Sequence, residues 1–180
     1  MSRKRIGIYA GSFKPFTVGH ADILRQALQT FDEVIVAIGK NPEKADTGEY
    51  PFPANNPILG RAHISHYNGL LSDFLNHIDS RDESAHDIYL VRGLRNGADL
   101  QYEQNQIQFL KEMYAGLRVV FFICDKKFEH VSSTAVRALK KVSEKEYLKY
   151  VFLPVPEKEP PKWGWGNNSG YAQEPESLHL

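Results

Sequence analysis

Ser12, Thr17 and His20 lie close together in the stretch Gly7–His20 (GIYAGSFKPFTVGH), with Gly11 and Gly19 beside them. Two hydroxyls and an imidazole at this spacing suit hydrogen-bond donation to an anion. The chain offers no Ser-His-Asp or Cys-His arrangement for nucleophilic catalysis, and Cys124 at the end of an apolar run reads as core. The local elements support the anion reading. Ile6 to Ala10 is an apolar run that predicts a buried strand. The chain breaks at Gly11-Ser12, turns through Pro15, and enters a helical pattern over about 19–30, with Leu24, Ala27, Leu28 and Phe31 at helical spacing. A strand, a glycine turn and a helix start place unpartnered N–H groups and the positive end of the helix dipole at one point. The plainer alternative is a βα turn capped by Thr17.

More cations follow later apolar runs. Glu33 to Ile38 reads as a second buried strand, and Lys40 to Lys44 comes after it. Ala62 to His66 is a short third strand. Leu70, Leu71, Phe74, Leu75 and Ile78 predict a helix, and Ser80 to His86 a charged loop. Ile88 to Val91 is a fourth strand, ending at Arg92, Gly93, Leu94 and Arg95. A helix over about 99–115 turns Leu100, Glu103, Ile107, Leu110 and Tyr114 inward, so a carboxylate shares an apolar face and needs a partner there. Val119 to Ile123 is a fifth strand, followed by a loop and a helix opening at Ser132, Ser133 and Thr134. A last helical piece covers about 143–151. Residues 45–60 read as loop.

Strands alternating with helices predict an α/β fold: a Rossmann-like open parallel five-stranded sheet with helices on both faces. Ligands of such sheets bind beyond the C-terminal strand ends, where the candidate clusters after the first, second, fourth and fifth strands all fall. Residues 1–153 form one expected domain. Pro and Gly interrupt 154–180, which predicts an extended or disordered tail carrying Trp163 and Trp165.

The bulk numbers bound the function. Lys+Arg and Asp+Glu both total 22, so nothing global favours nucleic acid or membrane as a partner, and any anion site is local. A single cysteine excludes an internal disulfide and fits a reducing cytosol. The basic N-terminus leads straight into the first strand and does not read as a signal peptide.

Thr17-Val18-Gly19-His20 resembles the (H/T)-x-G-H signature of the nucleotidylyltransferase superfamily. Val91 to Asn96 with Asp99 to Glu103 resembles the RGLR-x-x-x-D-x-x-YE segment of the phosphopantetheine adenylyltransferase family, and Val131 to Arg137 its ISST-x-VR motif. With Phe31 to Val34 and Asn41 to Lys44 in matching places, the resemblance covers about residues 5–153.

The resemblance implies AMP transfer from ATP to 4′-phosphopantetheine, with Mg²⁺ entering on ATP and no dedicated metal cage. It implies catalytic roles for His20, Lys44 and Arg92. ATP would meet Ser12, Phe13, His20, Gly93, Leu94, Arg95 and Glu103, with the segment Phe128, Glu129, His130, Val131, Ser132, Ser133 and Thr134 closing over its phosphates. The acceptor would meet Ser12, Lys44, Leu71 and Arg92. A homo-oligomer, commonly a hexamer in the family, is also implied. The chain departs from the pattern at Lys14, where the family has Asp, and over Pro51–Pro57, where it has an E-E-R-x-x-L helix. It also lacks the family's Gly-Asp before the last helix. Another phosphate acceptor such as nicotinamide mononucleotide, or a nucleotide-binding protein without catalysis, stays open at this point.

Overall fold

The computed structural model describes residues 3–40, 52, 53, 55–80 and 86–153. Lys44 and the tail over 154–180 lie outside these described residues. Five strands, β1 (Lys4–Gly11), β2 (Glu33–Gly39), β3 (His63–Tyr67), β4 (His86–Leu94) and β5 (Val119–Ile123), form one parallel sheet in the order β3-β2-β1-β4-β5. Helices α1 (Val18–Thr30), α2 (Leu71–Asp79), α3 (Gly97–Met113), α4 (Ser133–Lys140) and α5 (Glu144–Leu148) complete it.

The sheet is buried on both faces because its central strands are apolar without alternation. In β1, Ile6, Ile8 and Ala10 turn toward a core shared with Phe74, Leu75 and Ile78 of α2 and Leu110 of α3. Tyr9 of the same strand faces the opposite core, where Ile23, Leu24 and Ala27 of α1 pack on Val34, Val36 and Val91. Ile8 sits in register between Ile35 and Leu90, so the two neighbouring ladders share one level. Helices therefore cover both faces, as the alternating pattern predicts. A smaller cluster joins Val18 at the start of α1 to Val131, Val136, Tyr147 and Val151. It docks the C-terminal helices beside the N-terminal end of α1.

Several element limits differ from the sequence reading. The fourth strand does not end at Val91: Arg92, Gly93 and Leu94 continue the ladder opposite Phe121, Phe122 and Ile123 of β5. His86 opens that strand and is buried, although it reads as loop. The long helix starts at Gly97, capped by the Asn96 side chain, which accepts from the Asp99 N–H. Leu70 precedes α2 and is exposed rather than on its apolar face. Leu59–Arg61 forms one 3-10 turn inside the segment read as loop. The last helix stops at Leu148, and Val151 instead bridges antiparallel to Thr17.

Candidate functional site

The strand order reverses between β1 and β4: the chain runs outward from β1 to β2 and β3 on one side, and from β4 to β5 on the other. Such a switch point opens a crevice at the C-terminal strand ends. Here it is a cleft of about 340 Å³. Its walls come from the ends of β1, β4 and β5, the first turns of α1 and α3, and the segment that leads into α4.

The β1–α1 turn builds one wall. Phe13 has φ of 48°, in the left-handed region that a non-glycine residue adopts at a cost of about 1–3 kcal/mol. Aromatic packing holds it there, with ring centroids 5.1 Å from Tyr9, 5.2 Å from Phe16 and 5.2 Å from His20. Thr17 then caps α1. Its hydroxyl accepts from the His20 N–H at 3.3 Å, and its own N–H donates to His20 Nδ1 at 2.9 Å. This is a capping box with histidine in the place that Glu or Gln usually takes. The bond fixes the tautomer. A neutral ring that accepts at Nδ1 carries its proton on Nε2. His20 lines the cleft, so Nε2–H is the donor its ring offers to a ligand there.

The opposite wall carries the arginines. Arg92 donates from Nη1 to the Ala10 carbonyl at 3.1 Å, and its Nε lies 3.1 Å from Glu103 Oε2. Arg95 makes a two-pronged pair with Asp99, with bonds of 2.8 and 2.7 Å, and its backbone N–H donates to the same carboxylate at 2.9 Å. Burial pulls the Asp99 carboxyl upward, but the Arg95 hydrogen bonds and charge outweigh it and hold the group below its ordinary value. Those bonds in turn raise the Arg95 guanidinium. Asp99 and Glu103 are one helical turn apart, so α3 lays both acids along the cleft. At the floor, burial pushes the Tyr9 hydroxyl and the Cys124 thiol up, so both stay neutral near pH 7.

The third wall is the entry to α4. Ser132 is its N-cap and accepts from the Ala135 N–H at 3.1 Å. The Ser133 hydroxyl donates to the Pro15 carbonyl at 3.2 Å, and Arg137 Nη1 to the Lys14 carbonyl at 2.6 Å. Two bonds from α4 thus tie the glycine turn of β1 to the serine segment. The orphan N–H groups of a helix start are brought to the same cleft that His20 and the arginines line. Cations, N–H donors and neutral hydroxyls around an open crevice can hold a polyphosphate and stabilise charge on it.

The cytidylyltransferase-like family profile matches residues 8–139, which span the whole cleft. A phosphopantetheine adenylyltransferase from Porphyromonas gingivalis is 36% identical over 145 residues, covering 76% of this chain and 88% of the relative. One from Brucella anthropi is 37% identical over 144 residues, covering 74% and 84%. The chain belongs to the phosphopantetheine adenylyltransferase family. Among solved structures, a Plasmodium falciparum nicotinic acid mononucleotide adenylyltransferase aligns with a TM-score of 0.54 at 14% identity, covering 83% of this chain and 90% of that one. That likeness shows the shared fold.

Of the site residues that the family resemblance implies, Ser12, Phe13, His20, Arg92, Gly93, Arg95, Glu103, Val131, Ser132 and Ser133 line the one cleft. Others lie off it. Leu94 is buried in β4, where its carbonyl accepts from the Cys124 N–H at 2.9 Å. Leu71 packs at the edge of the core beneath α2. Phe128 packs against the Val131–Val136 cluster, and Glu129 and His130 are exposed, with the His130 ring 5.5 Å from Tyr150. Thr134 is exposed and accepts from Arg137 Nη2 at 3.0 Å. Thr17, singled out in the sequence as a hydroxyl beside an anion, also lines the cleft, as do Tyr9, Ile23, Asp99, Tyr102 and Cys124, which carry no site assignment from the sequence. Tyr9 and Ile23 look like core in any pattern reading. Asp99 had a usable signal, an acid one helical turn after Arg95.

Proposed function

We propose that this chain transfers AMP from ATP to 4′-phosphopantetheine, releasing pyrophosphate and dephospho-CoA, a step of coenzyme A biosynthesis. The observation that carries the mechanism is the Thr17 N–H bond to His20 Nδ1, which puts the ring proton on Nε2 in the cleft that Arg92 and Arg95 also line. An acceptor phosphate oxygen attacks the α-phosphorus. The bond from that phosphorus to the bridging oxygen of the β-phosphate breaks, and pyrophosphate leaves with the electron pair. The attacking oxygen is already anionic, so no general base is required. What remains is to hold two polyanions in line and to stabilise charge on the α-phosphoryl oxygens.

His20 Nε2–H serves the α-phosphoryl group. Arg92 holds the acceptor phosphate, and Lys44 joins it by family resemblance. Arg95, the Ser12 turn and the first N–H groups of α4 hold the nucleotide phosphates. The donors are preorganised, so they need no rearrangement as charge develops on the phosphoryl group.

Mg²⁺ is proposed to enter on ATP and to neutralise charge on its phosphates. No cluster of three His, Cys, Asp or Glu suited to a metal occurs among the described residues. The cleft carboxylates Asp99 and Glu103 face Arg95 and Arg92. The donor set therefore fits a metal held by the substrate. A cytoplasmic homo-oligomer, hexameric by family resemblance, without nucleic-acid or membrane partners, completes the proposal. No helix among the described residues is long and apolar enough to cross a membrane.

The test is pyrophosphate release from MgATP with 4′-phosphopantetheine and nicotinamide mononucleotide offered in parallel. Release with phosphopantetheine is the expected result. Release with the mononucleotide alone moves the acceptor, and release with neither, while ATP binds, overturns the enzymatic reading.

A further inference from the structure

Asp22 is a buried carboxylate, 1% exposed, on α1 two residues beyond His20. It belongs to neither arginine pair of the cleft. One oxygen pairs with Arg25 on its own helix. The other, Oδ2, accepts from the backbone N–H of Asp125 at 2.9 Å and from Gln26 Nε2 at 3.2 Å. Gln26 Nε2 also donates to the Ile123 carbonyl at 3.1 Å. Helix α1 thus grips the backbone on both sides of Cys124, where the chain leaves β5.

We propose that Asp22 is a positioning residue for the adenylyl-transfer site, an inference that rests on the function proposed above. Its bond from the Asp125 N–H, with the Gln26 bond to Ile123 beside it, ends on the backbone of a segment that leads directly into the cleft wall. Cys124, inside the clip, lines the cleft, and its N–H is tied to Leu94 at the end of β4. Downstream, Val131, Ser132 and Ser133 line the same cleft. The Ser133 hydroxyl then closes the loop back to Pro15, just before α1. The His20 ring and the α4 entry are therefore held at a set separation by two attachments, Ser133 to Pro15 at one end and Asp22 to Asp125 at the other.

The choice of side chain follows from the donors. A carboxylate has two oxygens and only accepts, so it can take the Asp125 N–H, the Gln26 amide and the Arg25 guanidinium together. Asn keeps one oxygen and turns a donor toward a donor. Ala leaves the Asp125 N–H without a partner where water is scarce.

The test uses the full chain with Asp22→Ala, Asp22→Asn and Gln26→Leu, following turnover with ATP and phosphopantetheine varied separately, and thermal melting. Misplacing reacting groups by an ångström costs roughly a hundredfold, so Asp22→Ala should lower kcat/KM for ATP by about that factor. The KM for phosphopantetheine should hold within about threefold, since Arg92, its proposed contact on β4, takes no part in the clip. Asp22→Asn, which keeps the Asp125 bond, should recover to within about tenfold of wild type, and Gln26→Leu should lose about tenfold. A purely structural role would lower the melting temperature and scale kcat by the folded fraction, without separating the two KM values. Folded Asp22→Ala with wild-type kcat and KM for ATP overturns the inference; if that variant does not fold, Gln26→Leu with wild-type constants overturns it. If wild type itself turns over no phosphopantetheine, the proposed function fails, and ATP affinity by calorimetry decides the clip: weaker binding in Asp22→Ala supports it, equal binding sinks it.

Discussion

Arg92 Nε stands 3.1 Å from Glu103 Oε2, yet the two groups are not aligned for a hydrogen bond, and neither buried atom has another hydrogen-bond partner among the described residues. Among the described residues the arginine is held by charge and by a directed bond from Nη1 to the Ala10 carbonyl. A guanidinium in this state is placed but not saturated. An entering phosphate can take the fork with better geometry than the carboxylate offers.

Arg92→Lys tests that placement. Lysine keeps the charge but replaces the planar fork with a point donor. The expected result is a rise of about tenfold or more in KM for the acceptor phosphate, with KM for ATP nearly unchanged. Initial rates with each substrate varied give the answer. An unchanged acceptor KM removes Arg92 from that subsite.

The capping box separates the structural role of His20 from its chemical one. Glutamine is an ordinary residue at this place in a capping box, so His20→Gln should leave the melting temperature within about 2 °C of wild type. Turnover should fall by about a hundredfold or more, as when an oxyanion donor is removed, while ATP still binds. Thr17→Val should do the reverse. It removes the capping hydroxyl and costs about 1 kcal/mol of stability. Its N–H still bonds Nδ1, so turnover should fall by less than about tenfold. Should His20→Gln keep its activity, the imidazole is a cap and not a phosphoryl donor.

The sheet and both faces of helices were legible because β1 and β2 are unbroken apolar runs and α1 has clean helical spacing. Glu103 was legible for the same reason, as a carboxylate on an inward face. The limit read for the fourth strand at Val91 fell short because β4 is extended by its ladder to β5, a non-local pairing that no local pattern carries. Phe128 to His130 fall off the cleft because a 3-10 turn over Lys126–Phe128 turns Phe128 into the core before Val131 reaches the site. Tyr9 and Ile23 line the cleft from positions whose apolar character marks them as core. Being both requires the crevice between β1 and β4, which exists only once the strand order is set.

Asp99 gives the site an acid-sensitive anchor. Its carboxyl is depressed in the folded state below the ordinary 3.8 by the bonds to Arg95, which prevail over burial. A depressed acid contributes stability that is present above the unfolded value and lost as pH falls through the folded one. Wild type should therefore exceed Asp99→Asn by about 0.5–1 kcal/mol at pH 7, a small figure because solvent screens Arg95. The difference should shrink below about pH 4 and be lost once the pH has fallen through the depressed folded value. Urea melts of both proteins across that range measure it. A gap that persists to the acid end would mean that Asp99 acts through shape and not through charge.

Gly93 sets how closely α1 approaches β4, and so how near His20 comes to the arginines. A Cβ on Gly93 would lie 2.7 Å from Ile23 Cγ1 and 3.2 Å from its Cδ1. Ile23 is 3% exposed and packed in the same core as Tyr9, Leu24 and Val91, so the added methyl meets a packed side chain. Gly93→Ala should cost about 1–3 kcal/mol through overpacking, and should lower turnover as the helix is pushed outward. Ile23→Ala alone should cost about 2–5 kcal/mol by leaving a cavity. Together they should cost less than their sum, by about 0.5–3 kcal/mol, because the new methyl enters the space that Ile23 vacates. Strict additivity in that cycle would mean that the glycine is there for its backbone and not for the contact. Recovery of turnover along with stability in the double variant would tie catalysis to the spacing of α1 and β4 themselves, since neither substitution supplies or removes a donor.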